Sequence, residues 1–427
     1  MLPAVQRASK PKAGGSERPG SRFGLETPFL LAYGLTVVGV AMSLIDATAT
    51  VSNSGSGSDG AVYTSIYLAT LFVTTAFAVP NTPAIAARFG PLRTIIAATL
   101  ASSVLWLVIG ALVLAGLNPM LVLVIGAVGI GALSGVFTAL IPLFAKAYFP
   151  GATMAGAQAR LSVPGGVAWA IGAGTAGLVL HRVDPGWGLI VRAALGVPLT
   201  LMLILRPPLV EPLAPAVTRG AWADLRIRVK EDAELRKAVL LGCGIALVAA
   251  PLLTMIVPIT DTLEHKPLIT GSSTVIVTMS IGQMFAPVVV GALERTRTHL
   301  RAAALAGLGT AVVIGAYGTT ALVFKGHEEP VAWAVVGLFF GALLFAGNAS
   351  TLGAATDAGE EKDAGSMVAT YVFATSLAPP LGVLIWGFLM SQFSVEASLL
   401  MGAAGTALVA GLFARMTAAS RQRQLVG

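Results

Sequence analysis

The sequence predicts an all-α membrane protein with twelve transmembrane helices in two related bundles of six. Three observations carry that prediction. Long apolar segments separated by short polar connectors fill the chain from about Pro28 to Met416. Hydrophobic residues make up 56% of the chain and charged ones 11%, with a mean hydropathy of +0.83. A soluble domain carries about 25% charge, so in water this chain would lack the polar surface to cover its core. Finally, the basic residues sit in alternate connectors. Crossing about 30 Å of hydrocarbon takes roughly 20 helical residues, and twelve crossings account for the length. Every backbone hydrogen bond must be met inside the membrane, so near-continuous apolar runs mean helices. Barrel strands would show about 10 alternating residues instead.

The segments run 28–50, 62–86, 92–116, 119–147, 153–180, 187–206, 238–260, 270–293, 302–324, 331–356, 365–391 and 395–416. The first follows a basic tail, 1–27, containing Arg7, Lys10, Lys12, Arg18 and Arg22. A signal peptide has a similar start, but its apolar core is about 7–15 residues. This run is longer, with no small-residue cleavage site, and reads as a retained helix. The loop Asn53–Gly60 is rich in Ser and Gly and is expected to be flexible. Pro80, Pro142, Pro164, Pro198, Pro251, Pro287 and the Pro379-Pro380 pair are expected to bend or break their helices.

Orientation follows from Lys and Arg. Apart from Arg182, Lys266, Lys325 and the intramembrane Arg192, every basic residue falls on the side of the termini. Both termini are therefore expected in the cytoplasm, and the bilayer is expected to be the inner membrane. The long connector 207–237 divides an N-terminal bundle, 28–206, from a C-terminal one, 238–416, followed by a tail, 417–427. Within it, Trp222, Leu225 and Val229 share a helical face, which suits either a helix lying on the membrane surface or a solvated linker. A shift of about 210 residues lays Gly172 and Gly177 of the fifth span on Gly382 and Gly387 of the eleventh, as a parallel duplication of six helices predicts.

Between the second and third spans the chain reads Pro83-Ala84-Ile85-Ala86-Ala87-Arg88-Phe89-Gly90-Pro91-Leu92-Arg93. With the six-plus-six pattern and the basic central connector, this resembles the major facilitator superfamily, whose signature there is Gly-x-Leu-Ala-Asp-Arg-x-Gly-Arg-Lys. Arg88, Gly90 and Arg93 match; Pro83 replaces the first Gly, and Ala87 stands in the place of the Asp. The resemblance implies a gating loop that clamps the inward side of the bundle, with a weaker latch where the Asp is missing. Gly291-Ala292-Leu293-Glu294-Arg295 echoes it faintly between the eighth and ninth spans. In the fifth span, Gly172-Ala173-Gly174-Thr175-Ala176-Gly177 resembles the Gly-Pro-x-x-Gly-Gly element of antiporters in this superfamily. Small residues at that spacing let helices approach closely, for sliding or for ordinary packing. The buried Arg of the family's fourth-span motif is replaced by Ile125, aligned through Gly129 and Gly131.

Ionisable groups within spans are costly and face the bundle interior. Asp46 in the first span and Arg192 in the sixth both fall in the outer third, where they are expected to meet at similar depth. They are the candidates for proton coupling; the alternatives are a structural ion pair or an Asp46 exposed in the outer vestibule. Mid-depth candidates for a substrate cavity are Tyr33 and Thr36, Tyr67 and Thr70, Gln158, Gln283, Asn348, Tyr371 and Thr375. Little charge among them suits an apolar or amphipathic small molecule. The expectation is a monomeric secondary transporter exchanging a small hydrophobic compound for protons. Uptake or facilitated diffusion of a neutral metabolite is the alternative.

Other classes are disfavoured. A polytopic membrane enzyme would need acids clustered with His or Cys, and Asp357, Glu360, Glu361 and Asp363 have neither. The four His residues (181, 265, 299 and 327) are scattered, so no metal site or cofactor is expected. Cys243 reads as a packing residue. The net charge of +7 follows membrane orientation and not nucleic acid. No phosphate-cradling Gly-Lys-Ser/Thr loop is present.

Overall fold

The computed structural model describes residues 23–55, 58–149, 154–179, 184–208, 227–264, 269–295, 298–323, 330–358 and 364–426. The tail cations, Trp222, Leu225 and most of the acidic run after Asp357 lie outside them. The first half is α1 (Phe23–Ser52), α2 (Ser58–Phe89), α3 (Pro91–Leu114), α4 (Pro119–Tyr148), α5 (Met154–Val179) and α6 (Pro185–Leu205). The second half is α7 (Ala233–Val248), α8 (Pro251–Thr254), α9 (Ile256–Glu264), α10 (Ile269–Glu294), α11 (His299–Val323), α12 (Pro330–Asp357), α13 (Ala364–Ser376), α14 (Ala378–Gln392) and α15 (Val395–Val426). Among the described residues there is no strand.

Eleven of the spans are long and apolar enough to cross a membrane. The Gly- and Ala-rich α5 is the twelfth, enclosed between α1 and α10. The seventh span is α7, α8 and α9 in series; the eleventh is α13 and α14. Two of the three interruptions fall at prolines, which lack an N–H and clash with the carbonyl four residues back; the third, at Met255, does not. Pro251 follows the break at Ala250, and Pro379-Pro380 follow the break at Leu377. Pro80, Pro142, Pro164, Pro198 and Pro287, expected to bend or break helices, lie inside helices that continue through them. One proline removes one hydrogen bond, and neighbouring helices hold the rest in place.

The duplication is visible in the contacts. A methyl group on Gly172 would collide with the Val38 carbonyl oxygen and stand 2.7 Å from the Ala41 Cβ. On Gly382 it would collide with the Leu247 carbonyl oxygen and stand 2.6 Å from the Pro251 Cγ. The fifth span thus sits on the first as the eleventh sits on the seventh, each residue displaced by about 210 positions, as in other parallel six-helix repeats. A second pair repeats the same way. Gly131 and Gly135 of α4 press on the Leu71 and Thr75 carbonyls of α2, and Gly337 and Gly341 of α12 press on the Val275 and Met279 carbonyls of α10.

Twelve crossings return the chain to the face on which it starts, here termed the terminal face. Two seams join the halves, α5 with α10 and α2 with α14. Gly387 meets the Ser65 side chain near the opposite, far face; Gly174 meets Val277 at 3.8 Å, and Gly166 meets Met284 at 3.1 Å close to mid-depth. Toward the terminal face, Phe29, Phe144, Tyr148 and Phe149 form a separate core of the first half, with the Phe29 and Tyr148 rings 4.3 Å apart. Leu205, Val312, Val331 and Val288 are about 70% exposed, a liability in water and a requirement in hydrocarbon.

Candidate functional site

Among the described residues of the first half, two acidic or basic side chains are buried, and both owe their places to glycine. α1 and α6 run antiparallel in contact. Asp46, 1% exposed, lies on α6 at Gly188, where a methyl group would collide with its Oδ2. Neither carboxyl oxygen has a hydrogen-bond partner. Asp184 caps α6 by accepting the Gly186 N–H at 3.0 Å and is close enough for its charge to act on Asp46. The buried Tyr67 of α2 lies within the field of Asp46 in turn.

Arg192 leaves α6 one turn beyond Gly188 and extends away from Asp46. Its Cδ stands 2.8 Å from where a Gly39 Cβ would be, and its Nη1 3.1 Å from where a Gly196 Cβ would be. The Ser103 Oγ of α3 comes within 2.5 Å of that same point on Gly196. Gly39, Ser103 and Gly196 lie near the middle of α1, α3 and α6, so the guanidinium is at mid-depth, in a residue 7% exposed. From Gly188 to Gly196 is two turns of helix, about 12 Å along the axis. No ion pair forms between Asp46 and Arg192, and Nε of Arg192 and Oγ of Ser103 are buried without partners. The expected meeting of the two charges is corrected here: the Arg192 backbone is at the predicted depth, but its side chain carries the charge toward the centre.

Sequence reasoning missed Ser103 and the three glycines. A signal was present: Gly188, Arg192 and Gly196 recur every four residues, which puts them on one face of α6. Below Ser103 the same seam holds a hydrogen bond from Thr200 to Thr99 of 2.9 Å.

The cavity candidates separate into two groups. Tyr33, Gln283 and Asn348 keep accessible surface. The Tyr33 hydroxyl lies 3.8 Å from the Cβ position of Gly165, whose neighbour Gly166 touches Met284 of α10; Tyr33 and the Gln283 position thus flank the joint between the halves. Tyr67 and Tyr371 are buried. The Tyr371 hydroxyl is 2.5 Å from Thr351 and rests against Gly242, within the packing of the second half. The side chain of Gln158 lies outside the described residues, as do the surroundings of Gly177. Cys243 packs with its Sγ 3.5 Å from the Ala374 carbonyl oxygen.

Gly90 joins α2 to α3 with φ of 85°, a left-handed conformation that glycine adopts without steric cost. Pro91 then opens α3 with a φ suited to a first helical residue. Arg88 and Arg93 are exposed on this turn, with the Arg88 guanidinium 5.3 Å from the centre of the Phe89 ring. Also toward the terminal face, Arg160 lies 3.8 Å from Glu26 and His299 lies 3.2 Å from Asp357. Among the described residues no group of His, Cys, Asp and Glu is placed to hold a metal.

Twelve spans in two like halves, joined along two seams and carrying few buried charges, define a membrane transporter. The chain belongs to the Major Facilitator Superfamily, whose sequence pattern matches residues 27–358. The structure is similar to that of a variant of the nucleoside transporter NupG, with a TM-score of 0.72 at 11% identity over 92% of this chain and 99% of that one. It is similar to a D-xylose-proton symporter, with a TM-score of 0.68 at 15% identity over 91% and 96%. It is also similar to a bacterial homologue of the human lysosomal transporter Spinster, with a TM-score of 0.67 at 14% identity over 95% and 96%. At these identities the likeness is one of fold. No curated protein sequence matches the chain.

Proposed function

We propose that this transporter exports a small hydrophobic or amphipathic compound in exchange for protons across the inner membrane, as a monomer with both termini in the cytoplasm. The observation that carries the reading is Asp46, a carboxyl group enclosed within a span with neither oxygen hydrogen-bonded. An unpaired buried charge is expensive, whereas a carboxyl that gains and loses a proton suits such a place and marks ion pathways in membranes. Asp46 is the proposed proton carrier. Arg88, Gly90 and Arg93 are proposed to gate the cytoplasmic mouth, and Tyr33, Gln283 and Asn348 to contact the substrate together with Gln158.

The accessible mid-depth groups are uncharged amide and phenol side chains. That supports an apolar or amphipathic cargo, and equally supports the second reading, uptake or facilitated diffusion of a neutral metabolite. The two separate in proteoliposomes holding an imposed pH gradient and a lipophilic reporter substrate. Antiport predicts that protons and reporter move in opposite directions, each driving the other. Reporter movement that ignores the gradient overturns it and leaves facilitated diffusion; movement in the same direction indicates uptake by symport.

A further inference from the structure

We infer that Arg192 is a two-position arm: it pairs with Asp46 when that carboxyl is ionised and withdraws to Ser103 and Gly196 when it is protonated. The inference rests on the proton-coupled reading above and assigns Arg192 its part in it.

The geometry provides two stations on one face of α6. One turn toward the helix start is Gly188, on which Asp46 lies; one turn the other way is Gly196, beside which the guanidinium and the Ser103 hydroxyl are found. The step from Arg192 to Gly188 is one turn, about 6 Å, within reach of an extended arginine side chain. Side-chain rotation alone therefore closes the distance, with no sliding of α1 on α6. Glycine clears the inner station, because a Cβ at Gly39 or Gly196 would crowd the arm.

The position observed runs against local preference. Helical side chains lean back toward the N-terminus, which for Arg192 means toward Gly188 and Asp46; here the arm extends toward Gly196 instead. A carboxylate at Asp46 would attract the guanidinium toward it, along the lean that the helix already favours. A buried charge pair separated in this way forfeits most of its mutual attraction. An uncharged Asp46 removes the attraction. Arginine remains protonated, so it is the partner that moves.

Among the described residues, the other ionisable groups near Asp46 are Asp184, an acid at the outer cap of α6, and Tyr67 on α2. On α9, which packs against α1, the side chain of Asp261 lies outside the described residues. Asp184 is an acid, so among the described residues Arg192 is the nearby cation that can stabilise a proton's departure from Asp46. A proton entering neutralises Asp46 and frees the arm; a proton leaving draws the arm back.

Structures of the wild type at alkaline pH and of Asp46→Asn test this directly. The expected result is Arg192 on Asp46 in the first and beside Ser103 in the second; the same arm position in both overturns the proposal. In proteoliposomes, Arg192→Met should lose pH-driven accumulation at least tenfold more than it loses reporter exchange at equal pH, and Arg192→Lys should restore part of the accumulation. Full coupling in Arg192→Met also overturns the proposal. If the wild type itself shows no pH-driven transport, the proton-coupled reading fails, and the alkaline-pH structure still decides whether the arm moves.

Discussion

Gly387 of α14 packs against the Ser65 side chain of α2, joining the two halves of the transporter near the far face. The pairing closes a seam that crosses between bundles, unlike the contacts Gly172 and Gly382 make within their own.

This seam has to part if the halves rock. Ser65→Cys combined with Gly387→Cys should cross-link under mild oxidant and arrest transport, and reductant should restore it. The two Cβ positions lie closer than a relaxed disulfide requires, so the helices have to give slightly as the bond forms. Free transport by the oxidised, cross-linked protein would show that the seam stays shut throughout the cycle.

Gly188→Ala places a methyl group against the Asp46 Oδ2. Overpacking of this kind costs about 1–3 kcal/mol and should lower the melting temperature in detergent. Gly34→Ala is the matched control, since no atom lies within 4 Å of its Cβ position. Removing a flexible glycine there should leave stability unchanged or raise it by up to about 1 kcal/mol. Equal melts for the two variants would contradict the packing described.

Gly172→Ala and Gly382→Ala test the internal repeat. Each forces a methyl onto a carbonyl in the corresponding place of its own half, so the losses should be similar, about 1–3 kcal/mol. The sites share no neighbours, and the double variant should show close to the sum. A marked difference between the single variants would mean that the halves pack differently despite their shared topology.

Tyr371→Phe removes the hydroxyl that lies 2.5 Å from Thr351. The expected loss is about 1 kcal/mol of stability with substrate affinity unchanged, because the ring is buried between helices of one half. A change in affinity at constant melting temperature would return Tyr371 to the substrate cavity.

The fold was legible because hydrocarbon allows so few solutions. Twelve apolar runs, the charge asymmetry and the repeat of Gly172 and Gly177 in Gly382 and Gly387 led directly to two bundles of six. Which prolines interrupt helices was not legible: Pro251 and Pro379-Pro380 coincide with breaks, whereas Pro142 sits in an unbroken α4. The candidate site was legible in part. Asp46 and Arg192 stood out as rare charges, and their backbone depths followed from helical rise. The direction of the arginine side chain depends on where Gly39, Gly196 and Ser103 leave room across three helices. The spacing of Gly188, Arg192 and Gly196 marks one face of α6, but a single sequence does not show which helices meet it. Tyr67 and Tyr371 show the same limit: a polar residue at mid-depth faces a cavity or a neighbouring helix according to packing alone.

The central claim, that Asp46 carries the coupled proton, is tested most directly by measuring proton and reporter fluxes together in proteoliposomes containing Asp46→Asn. The neutral amide keeps the shape of the side chain and cannot cycle a proton. The account predicts that exchange of reporter at equal pH persists while proton movement and pH-driven accumulation disappear. Undiminished proton-coupled accumulation in this variant would contradict it.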